Sequence, residues 1–188
     1  MYDQYDALIF DMDGTILDTE PTHRKAWHQV LARYGMTLDE ARIIEFNGAP
    51  TWRLAQFIIE QNQATHDPQL LAAEKTAAVK AMLLENVRPL PLMEVVKAYH
   101  GRRPMAVGTG SEHSIADALL TQLGVRHLFT AIVGADDVTR YKPEPDTFLR
   151  CAQLMGVTPE RCVVFEDADF GLQAAKAAGM DVVDVRLL

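Results

Sequence analysis

The stretch "ALIFDMDGTILDTE", from Ala7 to Glu20, decides the fold. Its first four residues are apolar and predict a short buried strand, and two carboxylates, Asp11 and Asp13, follow that strand directly. Because residues two apart in an extended chain point to the same side, both carboxylates are expected to face one place. Like charges repel and resist losing water, so the pair indicates a bound cation rather than a structural role. Gly14 then lets the chain turn sharply away.

The chain after residue 88 alternates between short apolar segments and amphipathic helical patterns. The strand candidates there are residues 104–108, 131–134, 162–166 and 182–185, in addition to 7–10. Continuous apolar strands that alternate with amphipathic helices indicate a parallel sheet covered on both faces. We therefore expect an α/β fold with a doubly wound parallel sheet, in which ligands bind beyond the carboxyl ends of the strands.

Residues 17–88 break this alternation. Helical patterns follow one another there, with apolar residues at three- and four-residue spacing, and no strand is evident. The sequence thus predicts an α/β catalytic core formed by residues 1–16 and 89–188. A small α-helical cap, residues 17–88, is predicted as an insertion after the first strand.

The composition restricts the classes of partner. The 188 residues are 48% hydrophobic and 23% charged, and the formal net charge of -8 makes nucleic acid and anionic membranes poor partners. No apolar run approaches the roughly 20 residues of a membrane-spanning helix, and the N-terminus carries no secretory signal. Cys151 and Cys162 lie in apolar surroundings that predict buried reduced thiols. We expect a cytoplasmic protein, as a monomer or a weak homo-oligomer.

Three further segments place polar groups at predicted strand ends or helix starts. They carry Thr109, Gly110 and Ser111 in "GTGS", Lys142 in "YKPEPD", and Glu166 and Asp167 in "VFED". Each segment alone fits a structural loop, but all four in order favour one shared site. Several carboxylates, hydroxyls and one ammonium suit a phosphoryl group and a hard cation, and Mg²⁺ is the expected cofactor.

The motifs "DMDGT", "GTGS", "KPEPD" and "VFEDADFGLQAAKAAGM" resemble the four motifs of the haloacid dehalogenase-like hydrolase superfamily. The helical insert is similar to the small helical cap of that superfamily, and the resemblance covers essentially the whole chain. It points to the branch of sugar-phosphate phosphatases and β-phosphoglucomutase-like proteins. It implies a Mg²⁺-dependent phosphatase that hydrolyses small sugar phosphates, such as fructose 1-phosphate or 6-phosphogluconate, through an aspartyl-phosphate intermediate.

The resemblance also implies roles for the catalytic residues. Asp11 would be the nucleophile, and Asp13 would protonate the leaving sugar oxygen and then activate water. Thr109 would hydrogen-bond the phosphoryl group, and Lys142 would bridge that group to the nucleophile. The implied Mg²⁺ ligands are Asp11, the backbone carbonyl of Asp13, Asp167, and Glu166 either directly or nearby.

The substrate is expected to lie between the core motifs and the cap. The candidate substrate-binding residues are Gly14, Thr15, Thr19, His23, Arg53, Lys75, Gly110 and Ser111. For His23 the alternative is an exposed helix residue, and for Arg53 and Lys75 it is solvated surface. Trp27 and Trp52 are predicted to belong to the cap core.

Two other interpretations stay open. A hexose-phosphate mutase of the β-phosphoglucomutase type would share the same core. After Gly48 the loop reads "APTWR", so Arg53 lies further from the glycine than in a mutase-like pattern, which favours hydrolysis. A phospho-acceptor signalling domain also combines acidic residues, a hydroxyl, a lysine and Mg²⁺. The long helical insert counts against that third interpretation.

Overall fold

The computed structural model describes residues 1–47 and 49–188, with the side chains of all of them except Ile44 and residues 83–86. The strands are Ala7–Phe10 (β1), Leu17–Asp18 (β2), Arg88–Pro89 (β3), Met105–Gly108 (β4), Ala131–Val133 (β5), Cys162–Glu166 (β6) and Asp181–Asp184 (β7). The α-helices are Glu20–Ala32 (α1), Glu40–Ile43 (α2), Thr51–Gln61 (α3), Pro68–Asn86 (α4), Met93–Tyr99 (α5), His113–Gln122 (α6), Asp146–Met155 (α7) and Asp169–Ala177 (α8).

The five strands of the main sheet are all parallel, in the order β5-β4-β1-β6-β7. β1 lies at the centre, and its successive side chains point to opposite faces. Leu8 and Phe10 pack towards α5 and α6, whereas Ala7 and Ile9 pack towards α7 and α8. Because both faces are covered, the central strand has no polar side, which explains its continuous apolar sequence. The doubly wound sheet predicted from the sequence is confirmed.

The predicted strand bounds agree closely with the structure. β1 and β6 have the predicted bounds, and the other three strands of the main sheet differ from prediction by one residue at one or both ends. The expectation of no strand within residues 17–88 is wrong, because Leu17–Asp18 pairs antiparallel with Arg88–Pro89. A strand of two residues leaves no alternation to detect, and its partner contains a proline, which reads as a breaker. This short ladder joins the two chain segments that enter and leave the helical insert.

The helices of the insert have a hydrophobic cluster of their own. Trp27 from α1, Leu54 and Ile58 from α3, and Leu71 from α4 are all buried in it. Trp52 is half-buried and packs against the same cluster, so both tryptophans lie in the predicted cap core. The exact boundaries of core and cap stay a prediction.

Two simpler expectations can be compared with the described residues. Cys151 and Cys162 are both free and buried, as predicted. Across residues 1–47 and 49–188, no helix combines the length and apolar character required to cross a bilayer.

Candidate active site

A cavity of about 120 Å³ separates the carboxyl ends of the central strands from the helical insert. Its core side is lined by residues that directly follow β1, β4 and β6, namely Asp11, Asp13, Gly110, Ser111 and Asp167. An open parallel sheet binds ligands at this edge, where the chain crosses over to opposite sides of its first strand. The three strand-end motifs therefore meet at one cavity, as the sequence predicted.

Asp11, Lys142 and Glu166 form a buried charge cluster at the floor of the site. Lys142 Nζ donates to Asp11 Oδ1 at 2.7 Å and to Glu166 Oε2 at 2.8 Å. The exposed fractions are 4% for Asp11, 1% for Lys142 and 0% for Glu166. Burial would lower the pKa of Lys142, but the two carboxylates raise it above its usual range, so this lysine is charged. One ammonium thus faces two buried carboxylates.

The second acidic pair, Glu166 and Asp167, lies at the end of β6, and its two carboxylates differ in their hydrogen-bond partners. Glu166 Oε1 accepts hydrogen bonds from the backbone N–H groups of Asp167 at 3.1 Å and Ala168 at 3.0 Å. With Oε2 bound to Lys142, both oxygens of Glu166 have protein partners. Asp167 Oδ1 accepts a hydrogen bond of 2.9 Å from Thr15 Oγ1. Burial and the neighbouring Glu166 raise the pKa of Asp167 to about 6.

These carboxylates suit a divalent cation. Oxygen atoms of Asp11, Glu166 and Asp167 lie within 4.8 Å of one another. Burial and the adjacent carboxylates raise the pKa of Asp11 well above its usual range, with Lys142 opposing them. The cluster carries more negative charge than its one lysine balances, and it offers only oxygen donors, which Mg²⁺ prefers. The residues present therefore fit the Mg²⁺ expected of this superfamily.

Asp13 lies at the centre of a second network on the cavity wall. Its Oδ1 accepts a hydrogen bond of 2.6 Å from Thr19 Oγ1. Its Oδ2 accepts from Ser111 Oγ at 2.8 Å and from Thr109 Oγ1 at 3.2 Å, and His23 Nε2 lies 3.4 Å from Oδ1. Burial alone would raise the pKa of Asp13, but the imidazole and the hydroxyls lower it well below its usual range. Asp13 is therefore ionised in this arrangement.

His23 is held by a buried lysine from α4. Lys75 is only 5% exposed, and its Nζ hydrogen-bonds His23 Nδ1. Burial lowers the pKa of Lys75 to about 8, and burial together with Lys75 lowers the pKa of His23. Because the lysine is mostly charged at neutral pH and donates to Nδ1, the ring proton of neutral His23 is on Nε2, which faces Asp13. Both residues line the cavity, and neither is solvated surface.

Gly14 and Thr15 lie behind the carboxylates rather than in the lining of the cavity. Gly14 has a φ of +84°, and a Cβ there would lie 2.5 Å from Asp167 Oδ2. Glycine is required because Asp167 approaches the backbone closely. The Thr15 hydroxyl is used by Asp167. Both residues contact Asp167 and lie outside the lining of the cavity, and their contact with substrate stays a prediction.

The predicted cap contacts divide in a similar way. Thr19 lies at the N-terminal end of α1, but its hydroxyl donates to Asp13 instead of capping the helix. Thr19, His23 and Lys75 all line the cavity, and their contact with substrate stays a prediction. Arg53 is not among the lining residues, and its guanidinium lies 5.7 Å from the centroid of the Trp52 ring. The structure therefore does not bring Arg53 to the site.

Several polar lining residues were not predicted from the sequence. Glu20 and Arg24 line the cavity together with His23 and Trp27, and the other three lie three, four and seven residues after Glu20, on one face of α1. Asn47 reaches the same cavity from the segment between α2 and α3, and Thr51 reaches it from the first residue of α3. A helix-face count from His23 would have identified Glu20, and a count from Glu20 would then have identified Arg24, whereas no sequence pattern marked Asn47.

The fold and this site define a hydrolase of the haloacid dehalogenase-like class. Residues 5–179 match the haloacid dehalogenase-like hydrolase family, and the chain belongs to that family.

Two curated relatives and one solved structure show where in the family this chain is placed. It is 69% identical, over the full length of both chains, to the fructose-1-phosphate phosphatase YqaB of Escherichia coli. It is 32% identical to a validoxylamine A 7'-phosphate phosphatase of Streptomyces hygroscopicus, covering 94% of this chain and 83% of the relative. CbbY from Rhodobacter sphaeroides, solved with xylulose 1,5-bisphosphate, has a TM-score of 0.84 and 27% identity, covering 95% of this chain and 84% of that one.

Proposed function

We propose that this chain is a Mg²⁺-dependent phosphatase that hydrolyses small sugar phosphates, with fructose 1-phosphate among its better substrates. The observation that carries the proposal is the buried contact of 2.7 Å between Lys142 and Asp11 at the floor of the cavity that Asp13 also lines. The 69% identity to a fructose-1-phosphate phosphatase supports the substrate class.

The first chemical step forms a bond between an Asp11 carboxylate oxygen and phosphorus. The bond between phosphorus and the sugar oxygen breaks, and that oxygen takes a proton from Asp13. A carboxylate attacking a phosphate ester is anion on anion, so the ammonium of Lys142, which contacts Asp11, offsets the repulsion. Mg²⁺ held by Asp11, Asp167 and the backbone of Asp13 would neutralise further charge on the phosphoryl oxygens. Thr109 would hydrogen-bond one of those oxygens.

The second step is the attack of water on the aspartyl-phosphate, with Asp13 taking a proton from that water. The lowered pKa of Asp13 fits this step, because a base must start ionised. Its role as an acid in the first step requires a proton. Release of Asp13 from Thr19 and Ser111 favours that protonated form, because both hydroxyls stabilise the carboxylate.

The mutase alternative is less well supported. A mutase must hold a second phosphate away from the reacting one, and Arg53, the arginine whose spacing was compared with a mutase-like pattern, does not line the cavity. Gly48, which sets the spacing considered in the sequence analysis, lies outside the described residues. We further propose that the protein acts in the cytoplasm, where its two buried thiols would stay reduced, as a monomer or a weak homo-oligomer.

The decisive experiment measures phosphate release from a panel of sugar phosphates, with Mg²⁺ and with EDTA. We expect release from several of them, abolished by EDTA and by Asp11→Asn. Absence of release from every substrate would overturn the proposal. A parallel assay with β-glucose 1-phosphate and catalytic glucose 1,6-bisphosphate identifies a mutase, since conversion mainly to glucose 6-phosphate with little free phosphate would replace the phosphatase assignment.

A further inference from the structure

One face of α1 carries a charged cluster that the proposed chemistry does not use. Arg24 lines the cavity four residues after Glu20, and its Nη2 lies 3.4 Å from Glu20 Oε2. Its Nη1 lies 3.8 Å from Oε2 of Glu40, whose Oε1 lies 2.8 Å from His28 Nε2, and neither Glu40 nor His28 lines the cavity. The guanidinium is thus oriented by two acidic side chains next to the cavity.

This cluster keeps hydrogen-bonding capacity for a ligand. A guanidinium has five N–H donors, and the two contacts to carboxylates are long for charge-assisted hydrogen bonds. The Nε atom of Arg24 is buried without a hydrogen-bond partner. Glu20 Oε1 accepts a long hydrogen bond of 3.4 Å from Nδ2 of Asn47, another lining residue. Donors and acceptors therefore stand side by side, an arrangement that suits sugar hydroxyls, which both donate and accept.

The charge of the cluster selects against a second anion. Glu20 and Glu40 together carry two negative charges against the single positive charge of Arg24. A phosphate offers acceptors only, so it would gain from the guanidinium but would meet the carboxylate of Glu20, which lines the cavity and cannot donate to it. A neutral hydroxyl meets no such repulsion, and discrimination between ligands commonly depends on a repulsive element of this kind.

We propose that Arg24, oriented by Glu20 and Glu40, is a specificity-determining residue that binds hydroxyls of the leaving sugar and rejects a second phosphate. The inference rests on the proposed phosphatase function and adds to it the class of leaving group, a neutral polyol end. Asn47 completes the polar side of this subsite through its contact with Glu20.

The test measures kcat/KM for three substrates: fructose 1-phosphate, fructose 1,6-bisphosphate and p-nitrophenyl phosphate, which has no hydroxyls to recognise. Arg24→Ala is expected to lower kcat/KM for fructose 1-phosphate about tenfold or more, mainly through KM, because it removes at least one hydrogen bond to the sugar. Its effect on p-nitrophenyl phosphate should stay within about threefold. Arg33→Ala is the matched control, since this exposed arginine contacts Glu74 and does not line the cavity.

The charge component is tested with Glu20→Gln, which keeps the shape of the side chain and removes its charge. The wild type should use the bisphosphate about tenfold less well than the monophosphate, and the variant should narrow that ratio about fivefold. Equal use of both by the wild type, or an equal loss on all three substrates in Arg24→Ala, would overturn the inference. If the wild type released phosphate from none of the three, the proposed function itself would fail, which is a distinguishable result.

Discussion

Thr19 Oγ1 donates a hydrogen bond of 2.6 Å to Asp13 Oδ1, and this bond connects the first helix of the insert to the proposed acid and base. Thr19 is fully buried and lies where α1 begins, so its position depends on that helix. The hydroxyl stabilises the ionised form of Asp13 and helps to hold the pKa of that carboxyl below its usual range. Any movement of α1 relative to the sheet would change this contact and hence the proton affinity of Asp13.

Thr19→Ala should therefore raise the pKa of Asp13. Because the second step needs ionised Asp13, the acid limb of the kcat–pH profile should move to higher pH. Because the pKa of Asp13 starts well below its usual range, this carboxyl stays ionised at neutral pH in the variant, so kcat should change little there and fall on the acid side. Thr19→Ser keeps the hydroxyl and serves as the control, with kcat close to wild type. An unchanged acid limb in the alanine variant would show that this contact does not tune Asp13.

Gly171→Ala should disrupt the buried charge cluster of Asp11, Lys142 and Glu166 by displacing Glu166. A Cβ at residue 171 would overlap the carboxylate of Glu166, whose Oε2 accepts the hydrogen bond from Lys142. Displacing Glu166 leaves the buried ammonium with one carboxylate, so both stability and activity should fall, with kcat lower by at least about tenfold. Circular dichroism and thermal unfolding show how much of the loss is structural.

The matched control for this substitution is Gly124→Ala. Gly124 has a φ of +70° and no atom that a Cβ would meet within 4 Å, so alanine there costs only backbone strain of about 1 kcal/mol. That variant should lose some stability and keep its kcat. Equal kcat values in the two variants would show that the position of Glu166 does not affect turnover.

The sheet and the catalytic floor could be predicted because each left a local signal in the sequence. Apolar runs such as Ala7–Phe10 mark buried parallel strands, and the order of strand ends brings Asp11, Asp13 and Asp167 to one edge. The insert left weaker signals, since a helix shows which face is apolar but not which polar residue points into a cavity. Arg53 and Arg24 illustrate this limit.

In the sequence, both arginines lie in helical patterns where an exposed side chain is expected. The packing of α1, α3 and α4 shows which of the two reaches the cavity. Arg24 follows His23 on the face of α1 that lines the cavity, whereas Arg53 near the start of α3 lies beside Trp52. Lys75 was among the candidate residues, but its burial could not be predicted, for the same reason. Its burial beside His23 depends on how α1 and α4 pack, and a lysine within a helical pattern normally indicates an exposed face.

The Mg²⁺ requirement should depend on pH. The pKa of Asp167 is raised to about 6 by burial and by Glu166, so a cation that binds its carboxylate must displace a proton at lower pH. Below pH 6 the Mg²⁺ concentration for half-maximal activity should rise about tenfold per pH unit, and above about pH 7 it should level off. Thr15→Val removes a hydroxyl that stabilises the ionised form and should move the dependence to higher pH. A requirement that is flat between pH 5 and pH 7 would contradict the assignment of Asp167 as a ligand.

Asp167 also gives a prediction for the stability of the protein without metal, which should fall as pH rises, whereas Mg²⁺ binding should strengthen. The pKa of Asp167 in the folded protein lies above its ordinary value of 3.8, so its contribution to stability is present at low pH and is lost as pH rises through about 6. Mg²⁺ should therefore raise Tm more at pH 7.5 than at pH 5. Calorimetry with Mg²⁺ and with EDTA at both pH values measures this difference.

Asp11→Asn should abolish turnover and leave the fold intact. The amide is nearly isosteric with the carboxylate, but it cannot form the bond to phosphorus, so activity should fall below about one hundredth of wild type. The substitution also removes one negative charge from a cluster in which Glu166 and Asp167 raise the pKa of Asp11. We therefore expect Tm without metal to stay equal to wild type or to rise, provided that Lys142 keeps its contact with Glu166.

Two measurements on Asp11→Asn separate the role of the nucleophile from a structural role. A phosphorylated protein should be trapped by rapid acid quench of the wild type with labelled substrate, and no label should be found on the variant. Lys142→Met provides the contrast, because removal of the ammonium that contacts both Asp11 and Glu166 leaves two buried carboxylates facing each other and should lower Tm as well as activity. Turnover by Asp11→Asn above about one hundredth of wild type, with label on the protein, would place the nucleophile at another residue.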